Sequence, residues 1–431
     1  MAVRTRRRRR AASPQERAEE LTRAARSTCA PLARAGSGEK DAALLAAADL
    51  LGRRRRRIRD ANAKDLRAGR KADLSSALLD RLEITPARLT KMAEGLAQIA
   101  ALPDPVGEVM RGWRRPSGLR IRKVRTPIGV IFMIYESRPN VTIDAGGLAL
   151  KSGNAVILRG GKEALHSNLA LGACLAEAVR KSGLPQAAVQ VVDTPDRALV
   201  EALLQRNESI DVVIPRGGKG LIRTVLAQSS IPVIMHLDGV CHVYVDASAD
   251  LDMARRIVVN AKVQRPGVCN AMETLLVHRD VAAAFLPKCL RALRRAGVEL
   301  RGCPATRKAA RGVAVKPTEE ADWWTEYLDL VLSVKVVDSL DQAIAHINTY
   351  GSRHTDAIVT ADVAAAERFR NEVDSSSVMV NASTRFSDGF EYGLGAEMGI
   401  STNKLHARGP MGLEELTTYK FLVDGDGHVR E

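Results

Sequence analysis

The chain has 431 residues, 45% of them apolar and 3% aromatic, and a formal net charge of +15. This length exceeds the usual limit of one hydrophobic core and predicts two domains plus an appendage. Cys29, Cys174, Cys241, Cys269, Cys289 and Cys303 form no C-x-x-C pair, which speaks against a structural zinc framework and for free thiols in a reducing compartment.

No apolar run approaches the ~18 residues of a membrane span, and the basic N-terminus lacks the apolar region of a signal peptide. A cytoplasmic protein without membrane contact is therefore expected. A pI near 9.8 suits nucleic acid or a small substrate carrying several negative charges. So few aromatic residues argue against base stacking. The arginine runs 6–10 and 53–57 read as a disordered tail and a solvated helix segment, so nucleic acid is not an expected partner. Five successive arginines go right round a helix, and at least one is expected along the packed face.

Residues 1–13 read as an Arg-rich disordered tail. From Pro14 to about Gln98 the pattern is helical: residues 41–51 repeat apolar positions at 3.6-residue spacing, and Thr85-Pro86 is a helix opening. Residues 118–125 alternate apolar with basic, the signature of a ribbon exposed on one face. Such a ribbon leaves unpaired edges and points to contact with another subunit.

Residues 127–161 follow, with Pro127-Ile128-Gly129-Val130-Ile131-Phe132-Met133-Ile134-Tyr135 ahead of Glu136-Ser137-Arg138-Pro139-Asn140, and then Gly153-Asn154-Ala155-Val156-Ile157-Leu158-Arg159-Gly160-Gly161. The layout is βαβ, whose carboxyl ends form a ligand crevice. A further strand, 210–214, leads into Pro215-Arg216-Gly217-Gly218-Lys219-Gly220. A glycine-rich turn opening a helix offers free N–H groups to a phosphate, although the spacing is not the G-x-G-x-x-G fingerprint. Another strand and turn is expected over 231–239.

The segment Gln264-Arg265-Pro266-Gly267-Val268-Cys269 places a thiol after a Pro-Gly turn and before an apolar run, Leu275-Leu276-Val277, that reads as a buried strand. Gly267 would let backbone N–H groups crowd toward the sulfur, as an oxyanion site requires. Cys269 is therefore the candidate nucleophile.

These stretches resemble the aldehyde dehydrogenase superfamily. Ile134 to Thr142, Leu158-Arg159-Gly160-Gly161, Tyr350-Gly351-Ser352-Arg353-His354-Thr355-Asp356 and residues 395–420 look like its γ-glutamyl phosphate reductase branch. The resemblance implies an α/β fold of two Rossmann-like parallel-sheet domains plus a small β-ribbon oligomerisation element. It divides the chain into an NADPH-binding domain (14–112 and 127–236), a catalytic domain (237–405), and a ribbon with C-terminal segment (113–126 and 406–431).

The implied reaction is NADPH-dependent reduction of L-glutamyl 5-phosphate to glutamate 5-semialdehyde in proline biosynthesis, through a thioester on Cys269, without a metal. Asn140 would hold the oxyanion. Arg159 and Lys162 would face the adenosine ribose, where two cations favour a 2′-phosphate. Gly217, Gly218 and Lys219 would meet the cofactor phosphates, and Glu326 the nicotinamide ribose. Arg138, Arg385, Lys404 and Arg408 are the cations expected near the substrate, with Arg353 adding charge there or facing solvent. Aldehyde-oxidising relatives carry a hydrolytic Glu near position 236, and His236 here fits an enzyme that reduces its acyl intermediate. A homo-oligomer, dimer or tetramer, and an upstream glutamate 5-kinase are the expected partners. The rival readings are another enzyme of the superfamily and an inactive nucleic-acid-binding protein.

Overall fold

The structure, a computed structural model, describes residues 12–430. The arginine run 6–10 lies outside the described residues. The chain forms two compact units. One holds the described part of Met1–Ile234 and Gly412–Glu431 together with Gly395–Met398, and the other holds Met235–Leu394 with Gly399–Met411.

The first unit opens with helices at Pro14–Arg34, Ser37–Arg53, Arg55–Lys71, Ser76–Leu82 and Pro86–Ala101. Their starts follow from the sequence. Ser13 and Glu16 form a capping box ahead of Pro14, and the Thr85 hydroxyl accepts from the Arg88 N–H ahead of the last helix, each satisfying an otherwise orphaned donor. The arginine run 53–57 straddles the break at Arg54 between two helices. Arg54 is the one drawn inward, half-buried and paired with Glu177.

A four-stranded sheet lies at the centre of this unit, in the order Val189–Val191, Ala155–Gly160, Val130–Tyr135, Val212–Arg216. All neighbours are parallel. Val130–Tyr135 is buried at every position, the continuous apolar run that a sheet covered on both faces demands. The chain runs outward from Val130–Tyr135 on one side and returns on its other side with Val212–Arg216. That reversal sets a switch point at the carboxyl ends of these two strands, where open α/β sheets bind ligands. The strand expected over 231–234 is reduced to one bridge, Val213 with Val233. Pro232 has no N–H to offer a ladder.

A three-stranded antiparallel ribbon completes the unit, with Arg120–Pro127 between Val109–Arg114 and Thr417–Asp424. The Lys123 ammonium sits 3.6 Å from the Tyr419 ring centroid. Tyr419, Phe421 and Val423 are exposed.

The second unit carries a seven-stranded sheet in the order Lys316–Pro317, Glu299–Gly302, Val331–Val337, Met272–His278, Cys241–Val245, Thr355–Val359, Ser377–Val380. Each neighbouring pair is parallel. One face packs Val243, Leu275, Val277 and Val334 against helices Leu251–Val263 and Arg279–Arg295. The other packs Tyr244, Leu276 and Ile358 against Leu340–Tyr350 and Val363–Glu372.

Candidate active site

Cys269 lies between helix Leu251–Val263 and strand Met272–His278 and is half-buried. Its main chain packs on Gly239: a Cβ at 239 would lie 2.1 Å from the Cys269 carbonyl oxygen and 2.6 Å from its Cα. Only glycine permits that approach. The Gly239 N–H donates to Glu326 Oε1 at 2.8 Å, so a single residue ties the Cys269 backbone to the carboxylate. The Cys241 thiol donates to the Cys269 carbonyl at 3.2 Å. Burial pushes the Cys241 thiol well above its ordinary pKa, which keeps it a donor rather than a competing nucleophile. A Cβ at 267 would meet nothing nearer than the Leu328 carbonyl oxygen at 3.6 Å, so the tight packing on residue 269 comes from Gly239.

Two histidines flank the sulfur. Donor atoms of His236, Cys269 and His354 all lie within 4.8 Å of one another. His236 Nδ1 bonds the Ile400 carbonyl at 2.9 Å, and His354, fully buried, has Nδ1 at 2.8 Å from Thr355 Oγ1. Gly239, Cys269, Glu326 and His354 each precede a strand of the seven-stranded sheet. The chemistry therefore gathers at the amino edge of that sheet, opposite to the edge that open α/β sheets normally use.

The segment carrying Cys269 is closed by a buried ion pair. Lys262, in the helix before it, donates to Glu273 Oε2 in the strand after it at 2.5 Å, both side chains fully buried. Glu273 also accepts the Leu328 N–H at 3.1 Å. Burial pushes the Glu273 carboxyl up to about 7 and moves the Lys262 ammonium down.

Among the cations expected near the substrate, Arg385 has Cys269 among its charged neighbours. Burial and then Arg265 push its guanidinium below the ordinary value. Its Nε donates to Gln264 Oε1 at 2.8 Å and its Nη1 to Asn270, while Asn270 Nδ2 donates to the Ser387 carbonyl at 2.8 Å. Lys404 and Arg408 sit on Asp374 at 2.6 and 2.8 Å, with Arg353 at 3.9 Å. Hydrogen bonds from Lys404 and Arg408 hold the Asp374 carboxyl at about 2. These two cations are therefore committed to a carboxylate that the sequence reading had not paired with them.

In the first unit Asn140 is exposed and begins helix Asn140–Lys151, just beyond the switch point. Its Nδ2 donates to Asp144 Oδ2 at 2.8 Å, which fixes the amide plane and leaves a second amide hydrogen. Burial pushes the Asp144 carboxyl up to about 6. Arg138 precedes Pro139, the cap of this helix. Ser137, held at φ +40°, donates its N–H and hydroxyl to Glu163 Oε1 at 2.7 and 2.6 Å. The acid beside Lys162 is thereby tied to the 136–140 turn, and Lys162 itself is exposed at the start of a single 3-10 turn.

Arg159, near the end of its strand, donates from Nη2 to the Pro195 carbonyl at 3.3 Å, while its buried Nε has no hydrogen-bond partner. Burial lowers its pKa, with Glu163 opposing. Gly218 caps helix Lys219–Gln228, and its N–H donates to Glu136 Oε2 at 2.8 Å. At Gly218, then, the free N–H expected for a phosphate is already engaged by a carboxylate. The signal for this was in the sequence, since Glu136 follows the neighbouring parallel strand.

The sequence matches the model of the aldehyde dehydrogenase family over residues 8–317 and 313–422. The chain belongs to that family. Among solved structures it is similar to γ-glutamyl phosphate reductase from Thermotoga maritima, at 46% identity over 96% of this chain and 100% of that one, with a TM-score of 0.94. γ-Glutamyl phosphate reductase from Saccharomyces cerevisiae is 32% identical, over 96% and 98% of the two chains, with a TM-score of 0.53. An acetylating aldehyde dehydrogenase from Geobacillus thermoglucosidasius shares the fold, at 16% identity and a TM-score of 0.68 over 97% and 98% of the chains. The branch that the motifs resemble is thus the branch of its more similar relatives, and the α/β fold expected from the sequence is the fold found.

Proposed function

We propose that the chain reduces L-glutamyl 5-phosphate to L-glutamate 5-semialdehyde and phosphate, with NADPH as the reductant, in proline biosynthesis. The observation that carries this reading is Gly239, which joins the Cys269 backbone to the Glu326 carboxylate. It supports a nucleophile and a ribose-binding acid that act on one reacting centre. The proposed division of labour is a NADPH-binding domain over 14–112 and 127–236 and a catalytic domain over 237–405. The direct test is the reverse reaction: full-length chain with pyrroline-5-carboxylate, phosphate and NADP⁺ is expected to generate the absorbance of the reduced cofactor. No absorbance change with pyrroline-5-carboxylate, phosphate and NADP⁺ all present sinks the reading.

The Cys269 thiolate attacks the acyl carbon, and the C–O bond to phosphate breaks as the tetrahedral oxyanion collapses, leaving a thioester on Cys269. Asn140 and a backbone N–H beside Cys269 are the assigned oxyanion donors. Arg385 is the cation assigned to the leaving phosphate. Arg138, Lys404 and Arg408 are further candidates for the substrate's anions, the last two on condition that they exchange Asp374 for substrate. NADPH, when bound, would supply the hydride that reduces the thioester carbon. The chain then releases aldehyde as the Cys269 C–S bond breaks and the thiolate reforms. Replacing Asn140 with Ala is expected to lower kcat by about 10²–10³, as for loss of one oxyanion donor, with KM for NADPH unchanged in steady-state assays.

The first unit fits NADPH. The partnerless Nε of Arg159 and the exposed Lys162 put cationic donors at the end of strand Ala155–Gly160 and just after it, which suits a ribose 2′-phosphate. Gly217 and Lys219 border the turn at Gly218, after strand Val212–Arg216. Lys162→Glu is expected to lower the preference for NADPH over NADH, measured as the ratio of kcat/KM values, and an unchanged ratio rejects the assignment.

The exposed Tyr419, Phe421 and Val423 on the ribbon support a homo-oligomer, dimer or tetramer, in which a second copy covers that edge. An acyl phosphate is prone to hydrolysis, which supports an upstream glutamate 5-kinase as the supplying partner. No helix among the described residues is long and apolar enough to cross a membrane, and a cytoplasmic location is the proposed one.

A further inference from the structure

We propose that Cys269, His236 and His354 together form a binding site for a soft divalent transition-metal ion, zinc(II) above all, and that the bound ion caps the nucleophile and holds the enzyme off. One thiol and two imidazoles present donor atoms within 4.8 Å of one another. Sulfur and imidazole nitrogen are the ligands that zinc(II) selects over oxygen-preferring magnesium or calcium.

A second observation concerns His354 itself. His354 is fully buried, and its Nε2 has no hydrogen-bond partner, although a buried ring nitrogen ordinarily finds one. Its other nitrogen is engaged with Thr355 Oγ1 at 2.8 Å. His236 is held in a comparable way. Its Nδ1 meets the Ile400 carbonyl at 2.9 Å, a contact that only an N–H can make. An outer carbonyl fixing one ring nitrogen is the arrangement that orients metal-binding histidines. The rings stand edge to face with centroids 5.4 Å apart.

The geometry needs a modest contraction. With Zn–S near 2.3 Å and Zn–N near 2.0–2.1 Å, tetrahedral donors lie roughly 3.3–3.8 Å apart, about 1–1.5 Å inside the 4.8 Å limit here. Rotation of the Cys269 side chain between staggered positions supplies such a shift. Three protein ligands leave the fourth position to water. Binding forms an S–Zn bond, and the thiol proton passes to solvent, so affinity rises with pH. No redox change is involved. The metal-bound sulfur shares the electron pair that would attack the acyl carbon. The inhibitory consequence rests on Cys269 being the nucleophile, whereas ion binding itself does not.

The test uses the full-length chain stripped with EDTA and titrated with zinc chloride, and iodoacetamide labelling is read at the Cys269 peptide by mass spectrometry. Zinc is expected to slow alkylation of Cys269 at least about tenfold, with EDTA restoring it, and cobalt(II) to give a thiolate-to-metal charge-transfer absorption. His236→Gln and His354→Gln are each expected to raise the zinc concentration needed for protection by about tenfold or more. If the buried His354 variant fails to fold, the half-buried His236 variant decides. Labelling unchanged by zinc, or protection with the wild-type concentration dependence in His236→Gln, overturns the proposal. A chain that turns over substrate without zinc protection overturns this site alone, and one that binds zinc but never reduces substrate overturns the functional reading alone.

Discussion

Cys269→Ala is expected to lower turnover of the acyl phosphate by on the order of 10⁴-fold or more, the scale on which removing a covalent nucleophile acts. The substitution leaves the surroundings in place. Gly239 packs on backbone atoms of residue 269, not on its sulfur, and the Cys241 thiol bonds the 269 carbonyl. Binding of NADPH, followed by fluorescence quenching, is therefore expected to remain at the wild-type Kd. Two readouts separate loss of chemistry from loss of structure. Turnover within tenfold of wild type would end the thioester proposal, because the residual rate would have to come from hydride addition to the free acyl phosphate.

The second large effect is on stability. Glu273→Ala removes the partner of a fully buried ammonium and also leaves the Leu328 N–H without its acceptor. Breaking a buried pair from one side costs about 3–5 kcal/mol, because the remaining charge stays desolvated. The unfolding midpoint in urea is expected to fall accordingly for the Cys269-bearing unit. The double variant Lys262→Met with Glu273→Leu removes both charges together, and such replacements are often neutral or stabilising. It is expected to recover most of the loss. An Ala variant as stable as wild type, or a double variant worse than the single, would show that the pair does not clamp this segment. Since Lys262 and Glu273 bracket residues 263–272, the single variant also loosens the loop that carries the nucleophile.

Cys269 was legible from sequence because its signal is local: a Pro-Gly turn, then an apolar strand. Asn140 was singled out only by the family resemblance, since a Pro-Asn pair at the end of a buried strand otherwise reads as a plain turn. Gly239 was not, because nothing in its own segment states that it meets residue 269. That contact exists only once Cys241–Val245 pairs with Met272–His278. His354 stood inside a motif that carried the family resemblance, yet its orphaned nitrogen is visible only when the side chains around it are in place. Lys404 and Arg408 looked like substrate cations because charge reads directly from sequence. Their partner, Asp374, lies about thirty residues earlier and comes into reach only through the folded sheet. The 231–234 segment misled in the opposite way, with apolar composition suggesting a strand that Pro232 prevents.

The tight seating of residue 269 has one more consequence. With its carbonyl pinned by a thiol from one side and its Cα held against a glycine from the other, the main chain there cannot slide to follow a changing substrate. The sulfur keeps a single soft coordinate, its own χ1 torsion, with three staggered wells. In the proposed reaction, attack, acyl storage and aldehyde release would then be separated by rotation about one bond, and a bulkier acyl chain would be refused by the arc it has to sweep.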